Sequence, residues 1–127
     1  MSVFSNYAAN MALNNLFYGK TTFIALHTED PGVLGDPANE VAGGSYSRQQ
    51  VTFSNSGSRS TGNTTQANFA DMPECVVTHI AVWDAETTGQ LLSFREIVNG
   101  GGVPTPVPIT EGYSFVVPSD SLVVTFT

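Results

Sequence analysis

Positive charge is what this chain has least of. Its 127 residues include one lysine, Lys20, and three arginines against eleven carboxylates, for a formal net charge of −7. Nucleic-acid binding exchanges phosphate counterions for basic side chains, so the balance excludes a nucleic-acid partner. An anionic membrane surface is disfavoured on the same ground. Long apolar runs are missing too: no stretch approaches the roughly 18 residues that read as a membrane span. The N-terminus shows no basic segment leading into an apolar one, the mark of a secretory leader. Cysteine occurs once, as Cys75, so no internal disulfide can form. No reactive signature surrounds it, and the expectation is a small buried apolar side chain rather than a nucleophile. A chain of this length buries roughly two-thirds of its unfolded surface and needs no disulfide to hold a core.

Charge of either sign is scarce. Charged residues make up 12% of the chain, against about 25% in ordinary soluble domains. A monomer usually covers itself with Lys and Glu. A surface of Ser, Thr, Asn and Gly is read here as one covered in good part by other subunits. The alternative is a surface that is polar without being charged, as in many secreted β proteins.

Catalytic patterns are equally thin. The two histidines, His27 and His79, fall in separate strands, and no Gly-x-Ser-x-Gly elbow is present. His79 shares a strand face with Trp83 and is read as packing beside it with one polar partner. Glu29, Asp30, Asp36 and Glu40 offer oxygen ligands within one loop, but the Asp-x-Asp-x-Asp-Gly spacing of a calcium loop is missing. No catalytic residue, cofactor or metal is expected. Trp83, Tyr46, Tyr113 and Tyr18 are the aromatics that could face a sugar; most lie within apolar strand patterns and read as core. Asn63-Thr64-Thr65 matches a glycosylation acceptor.

What is present is a β pattern behind one helix. Ser2 to Tyr18 carries apolar residues at helical spacing, Phe4, Tyr7, Ala8 and Met11, and the stripe resumes at Leu13, Leu16 and Phe17. Ser2 or Ser5 can cap its start, and Gly19 fits the left-handed position past its end. Thr21–His27 reads as a strand. Thr28 to Ser45 is a long loop with Asp30-Pro31-Gly32, Asp36-Pro37 and Gly43-Gly44 turn signals. Tyr46–Phe53 and the weaker Thr64–Phe69 read as strands, with 54–61 an exposed loop between them. Val76–Trp83 is apolar on both faces, as a central strand buried on two sides should be. Asp84–Gly89 turns and Gln90–Ile97 returns. Val103–Pro108 has proline at alternate positions and suits only an edge or connector. Tyr113–Val117 and Leu122–Phe126 read as a closing hairpin. Seven or eight short strands at this spacing are the signature of an antiparallel sandwich or barrel. The fold class assigned is all-β: a jelly-roll-like antiparallel β-sandwich over 20–127, with the N-terminal helix over 1–19, in a single domain.

The chain resembles a family of small tailed-bacteriophage structural proteins, commonly labelled phage tail fibre proteins. The helix Phe4–Phe17 ending in Gly19 begins the resemblance. Phe23-Ile24-Ala25-Leu26-His27-Thr28-Glu29-Asp30-Pro31-Gly32 and Asn39-Glu40-Val41-Ala42-Gly43-Gly44-Ser45-Tyr46-Ser47-Arg48 continue it. It is strongest at Val77–Ala85 with Gly89-Gln90-Leu91-Leu92, and it ends in Gly112–Phe115 and Leu122–Phe126. The Gly/Pro run 100–108 replaces a more regular segment. The resemblance implies a non-enzymatic virion component on the particle exterior, a tail-fibre or capsid-decoration (cement) subunit, assembled in the host cytoplasm. It implies a homo-oligomer, with a trimer the expected state, and contacts to major capsid or tail proteins. Subunit contacts are expected at Phe4, Tyr7, Met11 and Leu16 of the helix and at Asp30, Pro31, Tyr46 and Arg48 in and after the long loop. The alternative is a tail-tip module that binds a host receptor or glycan.

Overall fold

The computed structural model describes residues 3–126. It is mostly strand, with one helix and ten short strands in antiparallel pairings. The helix, α1 (Asn6–Leu16), starts where Ser5 accepts a hydrogen bond from the Ala8 N–H at 3.1 Å. Ser2, the other candidate cap, lies outside the described residues. The face of α1 that enters the core is Ala9, Leu13 and Phe17, spaced four apart. Leu13 and Phe17 of the expected stripe are thus in the core, and its first half is corrected: Tyr7 and Met11 lie on the opposite side and are exposed, and Phe4, ahead of the cap, stacks on Phe126 at 5.0 Å.

The central layer is a four-stranded sheet in the order β2 (Gln49–Val51), β1 (Thr22–His27), β6 (His79–Trp83), β7 (Leu91–Glu96). Alternation sends Ile24, Leu26 and Val82 into the main core with Leu13 and Phe17. Ala25, Ala81 and Trp83 go to the other face, where Leu91 and Phe94 pack on them. Both faces of β1 and β6 are therefore covered, as the uninterrupted apolar pattern of Val76–Trp83 required. The long loop does part of the covering. β2 pairs with residues 22–24 of β1, and farther along the same strand Val41 N–H donates to Leu26 O and Thr28 N–H to Asn39 O, each at 2.9 Å.

The expected run Val76–Trp83 breaks at Thr78. β5 (Cys75–Val77) pairs with β8 (Val107–Ile109), while β6 pairs with β1 and β7. Pro108 sits opposite Val76 in that two-stranded ribbon, consistent with the edge position its missing N–H demands. Cys75 is half-buried against the core, and burial raises its thiol pKa. Trp83 ends β6 at a bulge before β7.

The closing hairpin is not formed. β9 (Phe115–Val117) pairs with β4 (Ala67–Phe69), and β10 (Val123–Thr125) pairs with β3 (Ser60–Gly62). The two segments run together as one broken antiparallel pair, in which the four residues 63–66 face the five residues 118–122. Asn63 stitches this mismatch. Its Nδ2 donates to Thr65 O at 2.9 Å and Pro118 O at 3.0 Å, and its Oδ1 accepts from Leu122 N–H at 2.9 Å. Asn63 is fully buried with its amide committed, so the glycosylation pattern marks a structural residue instead. In place of a second continuous sheet, three two-stranded ribbons share the core with the four-stranded sheet through Phe69, Val77, Ile109, Val117 and Leu122.

Candidate functional site

The densest polar chemistry lies on the Trp83 face of the sheet, around a buried arginine. Arg48, just before β2, points its guanidinium across the sheet and lies 4.3 Å from the centre of the Trp83 ring. Its Nε donates to Glu40 Oε2 at 3.0 Å and its Nη2 to Glu40 Oε1 at 2.9 Å, a bidentate fork. Its Nη1 donates to Ala85 O at 2.9 Å and Thr88 O at 2.8 Å. One side chain thus ties the long loop to the β6–β7 turn. The turn is itself built for this. Gly89 has φ +76°, and an added Cβ there would lie 2.5 Å from Asp84 Oδ1. That oxygen accepts the Gln90 N–H at 2.7 Å.

Glu40 has a second partner. Tyr46 Oη donates to Glu40 Oε2 at 2.6 Å and accepts the Leu26 N–H at 3.0 Å, while its ring stacks on Phe69. Burial pushes the Tyr46 phenol well above its usual pKa, and the bond to Glu40 adds to the shift. Asn39 Nδ2 donates to Asp30 O at 3.1 Å, so its Oδ1 faces His27 Nδ1 at 2.6 Å. His27 Nδ1 therefore carries the proton, and Nε2 accepts the Trp83 indole N–H at 3.3 Å. Burial holds the imidazole pKa below its ordinary value, against the pull of Asn39 and Glu40. The histidine stacked on Trp83 is thus His27; the expected neighbour, His79, packs on Phe94 and bonds Thr78 Oγ1 at 2.8 Å.

A cleft of about 630 Å³ opens beside this network, between the loop around Leu34–Ser47 and the turn at Glu86–Gln90. The ion pair in its wall is already occupied. Arg48 and Glu40 satisfy each other, and Trp83 is buried under Arg48 and offers no open ring face. Of the other aromatics weighed for sugar contact, Tyr46 is half-buried, while Tyr18 and Tyr113 are exposed. The four loop carboxylates do not converge. Asp30 accepts the Gly32 N–H at 2.7 Å, Asp36 the Ala38 N–H at 2.9 Å, and Glu40 the arginine. Among the described residues no group of three or more His, Cys, Asp or Glu side chains gathers as a metal site.

The helix side is the second notable surface. Asn6, Asn10 and Asn14 repeat every fourth residue and hold the segment 55–59. Asn14 Nδ2 donates to Asn55 Oδ1 at 2.9 Å, and Asn14 Oδ1 accepts the Ser56 N–H at 2.8 Å. Asn10 Oδ1 accepts the Arg59 N–H at 2.9 Å, and Arg59 Nη1 reaches Phe4 O at 2.7 Å and Asn6 Oδ1 at 3.3 Å. The expected exposed loop is therefore docked, with Ser58 and Arg59 at positive φ. The helix leaves apolar side chains in water beside Asn6 and Asn15: Tyr7 is 74% exposed and Met11 55%, with Leu16 and, ahead of the cap, Phe4 partly so. Of the residues expected to meet other subunits, these four and Asp30 are exposed. Pro31 and Arg48 are buried and Tyr46 is half-buried, each engaged within the chain. Residue type alone missed this engagement. Two signals were available: an arginine in a strand pattern, and an i, i+4, i+8 asparagine column.

No curated protein matches the chain. The family model described as podophage GP4 fiber I protein gp80 matches residues 3–125, nearly the whole length. The chain therefore belongs to that family of tailed-phage fibre structural proteins and is a component of the virion.

Proposed function

We propose that the chain is a non-enzymatic structural subunit of a phage tail fibre, working as a homo-oligomer, most simply a trimer, of single-domain copies. The observation that carries the reading is the family match together with the exposed Tyr7 and Met11 on a helix anchored on its other sides. The sheet-face polar groups support it: they are spent on holding loops to the sheet, which is scaffold work rather than chemistry. A surface poor in charge fits burial against neighbours. The fibre family favours tail over capsid decoration, and the buried Trp83 gives no support to a sugar platform in the main cleft.

Sedimentation velocity tests the oligomer. The wild-type chain is expected at three-chain mass, and Tyr7→Glu with Met11→Glu shifts it toward monomer while leaving the circular dichroism of the fold unchanged. Point substitution is the right perturbation, because removing the helix would also remove Leu13 and Phe17 from the core. Wild-type chains that stay monomeric at high concentration would contradict the reading.

A further inference from the structure

Among the described residues the most exposed large apolar side chains are neighbours: Val33 is 90% exposed and Leu34 is 98%. They do not hang from a loose loop. Gly35 N–H donates to Gly32 O at 3.0 Å and Asp36 N–H to Pro31 O at 2.8 Å, closing a tight turn. Gly32 and Gly35 both have φ +71°, values that favour glycine. Buried Pro31 anchors the turn from below, and Gly35 packs against Leu91 so closely that an added Cβ would meet the Leu91 Cβ at 3.0 Å. Asp30 and Asp36 flank the two side chains; one carboxylate oxygen of Asp30 accepts the Gly32 N–H in the turn, and one of Asp36 accepts the Ala38 N–H just after it. A knob preformed in this way loses little conformational freedom on contact.

A matching hole lies elsewhere on the chain. Between β7 and the ribbon strand β9 is a groove of about 200 Å³ floored by Ile80, Ile97, Phe115, Val117 and Leu122, with Arg95 at its rim. Among the described residues the only ion pair is Glu40–Arg48. Arg95 is exposed and is one of four cations in a chain with eleven carboxylates. Its charge is complementary to the acidic flanks of the knob.

We infer that the Val33–Leu34 turn of one copy seats in the β7–β9 groove of a second copy, with Arg95 facing Asp30 and Asp36. This rests on the homo-oligomer reading and adds to its helix face a second contact between copies. Knob and hole are different surfaces, so the contact is head-to-tail, and a closed ring fills every groove and buries every knob. An open chain would leave one apolar knob bare at its end.

Mixing distinguishes this contact from any other self-association. Copies carrying Leu34→Cys and copies carrying Val98→Cys, both in a Cys75→Ala background, are combined and mildly oxidised; Val98 lines the groove. A linked pair well above that formed by either variant alone is expected. Self-association without that cross-link would overturn the contact and leave the homo-oligomer reading standing, whereas a wild-type monomer would overturn both. In addition, Leu34→Asp should weaken association about 10- to 100-fold, the worth of burying one large aliphatic side chain. Unchanged association of a folded Leu34→Asp chain would overturn the contact as well.

Discussion

Replacing Arg48 with methionine keeps most of the aliphatic stem and removes the guanidinium. Two carbonyls lose their donor, at Ala85 and Thr88, but Thr88 is exposed and water can reach it. The main cost falls on Glu40, whose side chain keeps only 15% of its exposure and would retain one neutral partner, the Tyr46 hydroxyl. Removing one member of a buried ion pair costs about 3–5 kcal/mol, because the other charge stays behind uncompensated. Loss of the cation over Trp83 adds roughly 0.5–2 kcal/mol, part of it already counted in the same desolvated site. With an unfolding entropy near 2.1 cal/mol/K per residue, 3–5 kcal/mol lowers Tm by about 11–19 °C for 127 residues. Urea unfolding at pH 7, followed through Trp83, the chain's one tryptophan, measures it directly. The sharper form is a cycle: Arg48→Met with Glu40→Leu should be less damaging than Arg48→Met alone, since no charge is left buried. A loss under about 1 kcal/mol, the range of an exposed pair, or strictly additive losses in the cycle, would refute the reasoning.

Asn63→Leu removes three hydrogen bonds at the β3–β4 mismatch and strands the Leu122 N–H; a loss of about 3 kcal/mol in the same urea assay is expected. Gly89→Ala forces a Cβ against Asp84 Oδ1 at positive φ and should cost about 1–3 kcal/mol, read as a lower Tm. Stability should fall as the solution is acidified below about pH 6.5, where unfolded histidine gains its proton. The folded His27 pKa is lowered, so in that window the unfolded chain binds more protons than the native one, and the native state is disfavoured as pH drops. Melting curves from pH 8 to 5 test this, with His27→Gln expected to show a flatter dependence.

The strand pattern was legible where burial is two-sided. The Phe23–His27 and Ile80–Trp83 runs carry apolar residues at nearly every position, and they became the sheet centre. Pairing was not legible. Phe115–Val117 and Val123–Thr125 flank a Pro-Ser-Asp-Ser turn and look like a hairpin, yet each pairs with a partner about fifty to sixty residues earlier in the chain. A local turn signal cannot report an amide such as Asn63 that intercepts it. The helix itself was legible, but its core face was not, for a related reason. Its apolar residues occupy two faces, and periodicity alone does not say which one meets the core. Ala9 is fully buried on that face although its small side chain stands out little in the pattern. The polar face of the sheet was hidden because Arg48, Glu40, Asn39 and His27 are scattered along the sequence and meet only when the long loop folds back over β1.

The central claim is that this chain is a structural element of the fibre. Immunogold labelling of intact virions with an antibody to the chain, combined with copy counting by quantitative mass spectrometry, tests it most directly. The account predicts label on the tail fibres and a handful to a few dozen copies per particle. Label spread over the capsid at hundreds of copies would contradict it.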